Sequence, residues 1–333
     1  MSRTRILRLL PLIIFPVLFL ARVNATAGDD AAYQAHCATA KKLAGTDWAY
    51  TADNLCKNTA EVTALHLLPT ADSPVIEPRK LFDNLYVIGQ VSITTYAITT
   101  PQGIILIDTG YLGKDESILL PGFTKLGLKP EDIKVVLLTH GHGDHFGGSR
   151  YLQDHFKDLH VWLSAPDWDF VAEQKGDPST KPIKDMVMKE GEPITFGGET
   201  VTPVFQPGHT PGTMSLIFPV YDHGKKHMAL LMGAVQITPA GLTSDGFDKL
   251  YDSTKHVADV SKQMHVDVEL ANHPIWDGSG PKMEAILTRG PNDPNPFIVG
   301  EESHQRLMEV LMECLKAQGA RVGDTPEKAL PRN

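Results

Sequence analysis

From Leu81 onward, short apolar and β-branched runs alternate with turn residues along the chain. "NLYVIG", "SITTYAITT", "GIILIDTG", "KVVLLTH" and "LHVWLSA" have the length and composition of strands. A second set follows in "EPITFGGETVTPVFQPG", "TMSLIFPV", "HMALLMGAV" and "DVELANH", the first of these folding back on a Gly-Gly turn. Helical spacing appears in "GGSRYLQDHF", in "FDKLYDSTKHVADVSKQM" and over residues 301–318. Two strand-rich halves, each followed by helices, predict an α/β fold of four layers, with two sheets face to face and helices outside. Residues 76–319 would form this domain. Residues 28–75 read as a helical, partly irregular N-terminal extension, and 320–333 as a flexible tail.

The first 27 residues break the pattern. "MSRTRILR" carries three arginines, "LLPLIIFPVLFLA" is apolar over 13 residues, and "RVNATAG" follows with Ala25 and Ala27 two apart. This is the plan of a secretory signal peptide cleaved after Ala27, and the apolar run is short of the roughly 20 residues that span a bilayer. The expected location is the periplasm or outside the cell, with no membrane contact after cleavage. Cleavage removes four arginines and no acid, moving the formal charge from -9 to -13. A surface that acidic repels phosphate backbones, which argues against nucleic acid and leaves a small molecule as the expected partner. The pattern does not specify an oligomeric state.

Export also lets a disulfide persist. Of Cys37, Cys56 and Cys314, the first two are the expected pair, closing a loop of about 20 residues worth roughly 3 kcal/mol on the chain-entropy model. The alternative is that both are small buried apolar residues. Cys314 lies on the apolar face of "HQRLMEVLMECLKA" and reads as buried.

Chemistry concentrates in "LLTHGHGDHFGG", residues 137–148, where three histidines and one aspartate fall within six positions. The intervening glycines disfavour helix and allow a tight loop in which alternate side chains converge. His140 and His142 can meet on one metal while Asp144 and His145 turn toward a second. Imidazole and carboxylate donors suit Zn²⁺, with Fe and Mn compatible by residue type. Four residues cannot complete two sites. His209 in "QPGHTPGT" and His273 in "ANHPIW" stand at strand ends, framed by glycine and proline, where functional side chains gather. The other nine histidines lack that framing.

Taken in order, "IDTG", "THGHGDHFGG", "PGHTPG" and "NHP" resemble the metallo-β-lactamase superfamily, whose hallmark is H-x-H-x-D-H, over about residues 80–318. The resemblance implies an αββα sandwich of two mixed sheets with helices on the outer faces, and a metal centre at one edge between the sheets. It implies two zinc ions per chain, one on His140, His142 and His209, the other on Asp144, His145 and His273. Asp144 would also orient the nucleophile as the catalytic residue, and Asp108 of "LIDTG" would support the site without ligating.

Position 234 narrows the branch. Glyoxalase II and its thioesterase relatives carry a bridging aspartate at the end of the later strand, whereas "LLMGAVQ" places Ala234 there; the cysteine of the first metallo-β-lactamase subclass is also absent. A second group of Asp, His and His is similar to the class B, subclass 3 metallo-β-lactamases, which implies a secreted zinc hydrolase that opens the β-lactam amide. "GAVQITPAG" lacks the serines usual after that strand in subclass 3, leaving Gln236 or Thr238 as substitutes. A hydrolase of lactones, esters or phosphodiesters is therefore the alternative. A flavodiiron-like oxidoreductase would need a glutamate where His142 stands, and a zinc protein without catalysis is the third reading.

Overall fold

A computed structural model of the chain describes residues 29–57, 70–236 and 244–322. The expected signal peptide, Thr238 and the end of the tail lie outside these residues. Strands β1 (Arg79–Phe82), β2 (Leu85–Gly89), β3 (Thr94–Thr100), β4 (Gly103–Ile107), β5 (Ile133–Leu137), β6 (His160–Ser164) and β7 (Met186–Met188) form one sheet in sequence order. The first four pair antiparallel, and β4 through β7 pair parallel. Strands β8 (Ile194–Phe196), β9 (Glu199–Phe205), β10 (Met214–Asp222), β11 (Lys225–Met232) and β12 (Val268–Ala271) form the second sheet, in the order β12-β11-β10-β9-β8. Only its β11–β12 pair is parallel. Both sheets are thus mixed.

The helices are α1 (Asp30–Ala44), α2 (Ala49–Leu55), α3 (Leu120–Lys125), α4 (Gly143–Phe146), α5 (Ser149–His155), α6 (Ala165–Glu173), α7 (Ser244–Gln263), α8 (Pro274–Asp277), α9 (Ser279–Thr288) and α10 (Glu301–Val322). Strand β4 shows why the sheets stack. Its residues 104–107 are apolar at every position because both faces are covered. Ile105 and Ile107 enter the core between the sheets, with Leu216, Phe218 and Leu231 from the other side. Ile104 and Leu106 enter a second core under Phe123, Leu152 and Trp168 of α3, α5 and α6. In the second sheet Ile217 and Leu230 face outward, into a third core closed by α1, α7 and α10. The four layers expected from the sequence are the ones observed.

The N-terminal extension belongs to the outer helical layer. Asp29 caps α1 by accepting from Ala32 N at 2.9 Å, and Cys37, Ala40 and Ala44 are buried with Leu307 and Leu311 of α10. Trp48 Nε1 donates to Ser303 O at 3.0 Å. Here the disulfide expectation is overturned. Cys56 pairs with Cys314, Cα–Cα 4.7 Å, and Cys37 is buried outside that bond. Nearness in sequence makes the Cys37–Cys56 loop cheap to close, but packing decides which sulfurs meet. Helix α10 brings Cys314 to the C-terminal end of α2, while Cys37 Sγ points at the carbonyl oxygen of Cys56, 3.7 Å away. Helix α10 also runs past the predicted residue 318 to Val322.

Candidate metal centre

Strands β4, β5 and β6 are parallel, so their C-terminal ends share one edge of the sheet. That edge carries the candidate site. Asp108 follows β4, residues 139–142 follow β5, and His273 follows β12. His209 lies in the turn between β9 and β10. All six predicted donors come together in two groups. His140, His142 and His209 form one and Asp144, His145 and His273 the other, with the donor atoms of each group within 4.8 Å of one another.

Hydrogen bonds on the far side of three of the rings set which nitrogen faces inward. His209 Nδ1 donates to Gln236 O at 2.6 Å, leaving Nε2 pointing at His142 Nδ1, 3.0 Å away. His273 Nδ1 donates to Ser92 O at 2.6 Å, and His145 Nδ1 lies 2.8 Å from Asp108 Oδ2. Their Nε2 atoms therefore stand 3.2 Å apart, with Asp144 Oδ2 at 3.8 and 3.9 Å. Zn–N bonds of about 2.0–2.1 Å in a tetrahedron place ligands roughly 3.3 Å apart, close to these separations. The fully buried His140 supplies the sharpest test of fit, because its Nε2 has no hydrogen-bond partner at all. A buried imidazole nitrogen left without a partner costs free energy that a metal ion would recover. The donor set fits zinc.

The electrostatics favour ligation too. Burial and the neighbouring imidazoles hold His140 and His209 well below the usual histidine range, and burial lowers His142 to about 4. Burial and His145 also lower His273. These rings are neutral at pH 7, the form that binds metal. His145 goes the other way: burial lowers it, but Asp108 and Asp144 outweigh that and raise it. Burial pushes Asp144 up, yet His145, His273 and His142 together hold it below the ordinary carboxylate range, so it is ionised.

Of the nine histidines without glycine and proline framing, His66 lies outside the described residues and most of the others find partners away from the centre. Among the described residues His36, His160, His227, His256, His265 and His304 each pair with a carboxylate. His304 is buried between Glu269 Oε2 at 2.7 Å and Ser261 Oγ at 2.9 Å, tying α10 to β12 and α7.

Three further residues matter that no local motif singles out. Thr139 sits between Asp108 and the histidines, giving its N–H to Asp108 Oδ1 at 2.8 Å and its hydroxyl to Oδ2 at 2.9 Å. Tyr111 has a buried hydroxyl beside Ser92; burial raises its pKa against the pull of Ser92, and the Asp144 charge adds to the rise. Asp167, wholly buried on α6, accepts from Gly141 N, Thr210 Oγ1 and Gly212 N, each at 2.7 Å. Burial raises its pKa against the pull of those three donors. The only sequence signal for Asp167 is the S-x-x-D pattern of "SAPD", which announces a helix start.

The family model described as the metallo-beta-lactamase superfamily matches residues 88–222. A hydroxyacylglutathione hydrolase of Synechococcus sp. is 30% identical over 122 residues, which are 37% of this chain and 41% of that protein. The N-acyl homoserine lactonase AiiB of Agrobacterium fabrum is 26% identical over 160 residues, covering 34% of this chain and 58% of the lactonase. The chain thus spans less than two thirds of either curated relative. The crystal structure of BJP-1, a subclass B3 metallo-beta-lactamase of Bradyrhizobium japonicum, superposes with a TM-score of 0.58 at 27% identity, over 73% of this chain and 90% of that one.

Proposed function

This chain belongs to the metallo-β-lactamase superfamily, and from that premise we propose that it is an exported dinuclear zinc hydrolase that opens the β-lactam amide. One observation carries the reading. The two donor groups are complete without residue 234, since Ala234, buried after β11, offers neither oxygen nor sulfur, and the second group consists of Asp144, His145 and His273. That donor set is the one by which the sequence resembles subclass 3, and BJP-1 is named as a member of that subclass.

Zinc held by these residues supplies Lewis acidity, polarising a carbonyl and lowering the pKa of water to about 7. The chain supplies the positioning. Asp144 is ionised and can accept a hydrogen bond from the attacking water, aiming its oxygen at the carbonyl carbon. Neutral His140, His142 and His209 keep lone pairs available at working pH. Asp108 and Asp167 hold the loops that present the donors, so the site needs little reorganisation when substrate arrives.

The second reading is hydrolysis of a lactone or other ester, supported by the names of the curated relatives, a hydroxyacylglutathione hydrolase and a homoserine lactonase. Zinc-loaded mature protein should be assayed with nitrocefin and a carbapenem, with and without EDTA, and in parallel with an acyl homoserine lactone. Hydrolysis of the β-lactams that EDTA abolishes is the expected result. Protein inert toward both β-lactams but active on the lactone would move the assignment to the second reading.

A further inference from the structure

Helix α6 begins with Ser164 as its N-cap and Asp167 three residues later, the pattern of a capping box. In that motif the acidic side chain turns back to the N-cap N–H. Here it turns outward. Asp167 Oδ2 accepts from Gly141 N and from Thr210 Oγ1, and Oδ1 accepts from Gly212 N, all at 2.7 Å. Ser164 keeps the cap, its Oγ accepting from Asp167 N at 3.4 Å while donating to Gly212 O at 2.6 Å.

The partners are not arbitrary. Gly141 lies between His140 and His142, and Thr210 follows His209, so one carboxylate joins the two loops that carry the three-histidine group. The approach leaves no room for side chains. A Cβ on Gly212 would stand 2.7 Å from Asp167 N and 2.9 Å from Oδ1, and one on Gly141 would stand 2.9 Å from Val171 Cγ2. None of these three bonds reaches His145 or His273. The other group has its own acid in Asp108, which bonds His145 directly and reaches His140 only through Thr139.

We infer that Asp167 is the positioning residue of the three-histidine group: it fixes the separation of the His140–His142 loop from the His209 loop and so sets the affinity of that group for its metal ion. It touches neither metal nor substrate. The inference rests on reading these donors as a metal centre, and the two can fail separately.

The test is stepwise uptake of Zn²⁺ and Co²⁺ by the full mature chain, followed with a competing chromophoric chelator and by cobalt absorption. His142→Ala identifies which step belongs to the three-histidine group. Asp167→Asn, which keeps the volume but sets an amide N–H against a backbone donor, should weaken that step by about 10–100-fold and leave the other within about threefold. Thr210→Val removes the bond to Asp167 Oδ2, together with that to Thr213 Oγ1, without altering the carboxylate, and should weaken the same step by a smaller factor, which keeps the test open should Asp167→Asn fold poorly. Circular dichroism of the metal-free variants separates this from general loosening. Parent protein that takes two equivalents, with variants that bind both as tightly or lose both in proportion, overturns the role of Asp167. A parent that takes up no metal overturns the metal centre itself, and this inference with it.

Discussion

Asp108 Oδ2 lies 2.8 Å from His145 Nδ1, with both side chains wholly buried. The same carboxylate binds the backbone and hydroxyl of Thr139. One acid therefore orients a ring on one group and anchors the loop that bears the other. It does so from a backbone φ of +57°, a conformation that costs a non-glycine residue about 1 kcal/mol or more.

Asp108→Asn should expose this dependence. Asparagine tolerates the same backbone conformation, but an amide facing Nδ1 as a donor shifts the His145 proton to Nε2, the atom that faces His273 and Asp144. Metal affinity of the second group and turnover should each fall about 10–100-fold. Metal analysis after dialysis against graded chelator, beside kcat, checks it; unchanged binding would leave Asp108 a fold residue only.

His142→Ala and Asp144→Ala each remove a donor from a different group, so either should lower turnover by orders of magnitude. EDTA should do the same to the parent protein, with recovery on adding zinc. Near-normal zinc-dependent turnover by either variant would sink the assignment of the centre.

The donors are legible in the sequence because each carries its geometry locally. Glycines around His140, His142 and Asp144 announce a tight loop, and glycine and proline framing marks His209 and His273. The layered fold is legible for a similar reason: four consecutive apolar residues at 104–107 require cover on both faces. Asp167 is not legible, because its partners lie 26 to 45 positions away and its neighbourhood reads as a helix cap. Strand β1 is hidden by polarity. Arg79 in "RKLF" is buried because its guanidinium finds Met283 O, Glu77 O at 2.8 Å and the Glu284 carboxylate at 3.1 Å. The cysteine pairing fails for the same reason, since residue 314 is nearest to residue 56 only after folding.

That pairing is directly testable. A bond between residues separated by 258 positions is worth about 5.5 kcal/mol on the chain-entropy model, just above the range measured for disulfides. Non-reducing peptide mapping should find Cys56 joined to Cys314 with Cys37 alkylatable only after unfolding. Cys314→Ser should lower the unfolding free energy by about 2–5 kcal/mol, and Cys37→Ala by far less. A Cys37–Cys56 peptide would restore the pairing expected from sequence.

Asp277, at the end of α8, gives a pH-dependent prediction. One carboxylate oxygen accepts from Ser279 N at 2.8 Å, and the other is buried without a partner. Burial pushes the carboxyl up to about 6, with Lys282 opposing only in part. In the unfolded chain its pKa is about 3.9. Between about pH 4 and 6 the native state thus holds more protons than the unfolded one, and stability falls as pH rises through that window and then levels off. A shift of about two units at 1.36 kcal/mol each bounds the loss at about 3 kcal/mol. Asp277→Asn retains an acceptor for Ser279, and Lys282 keeps its place over the Trp48 ring, 4.6 Å from the centroid. The variant should therefore gain about 1–2 kcal/mol over the parent at pH 7.5 and nothing at pH 4. Urea unfolding at both pH values measures this, and an equal difference at the two would show that the Asp277 charge carries no part of the pH dependence.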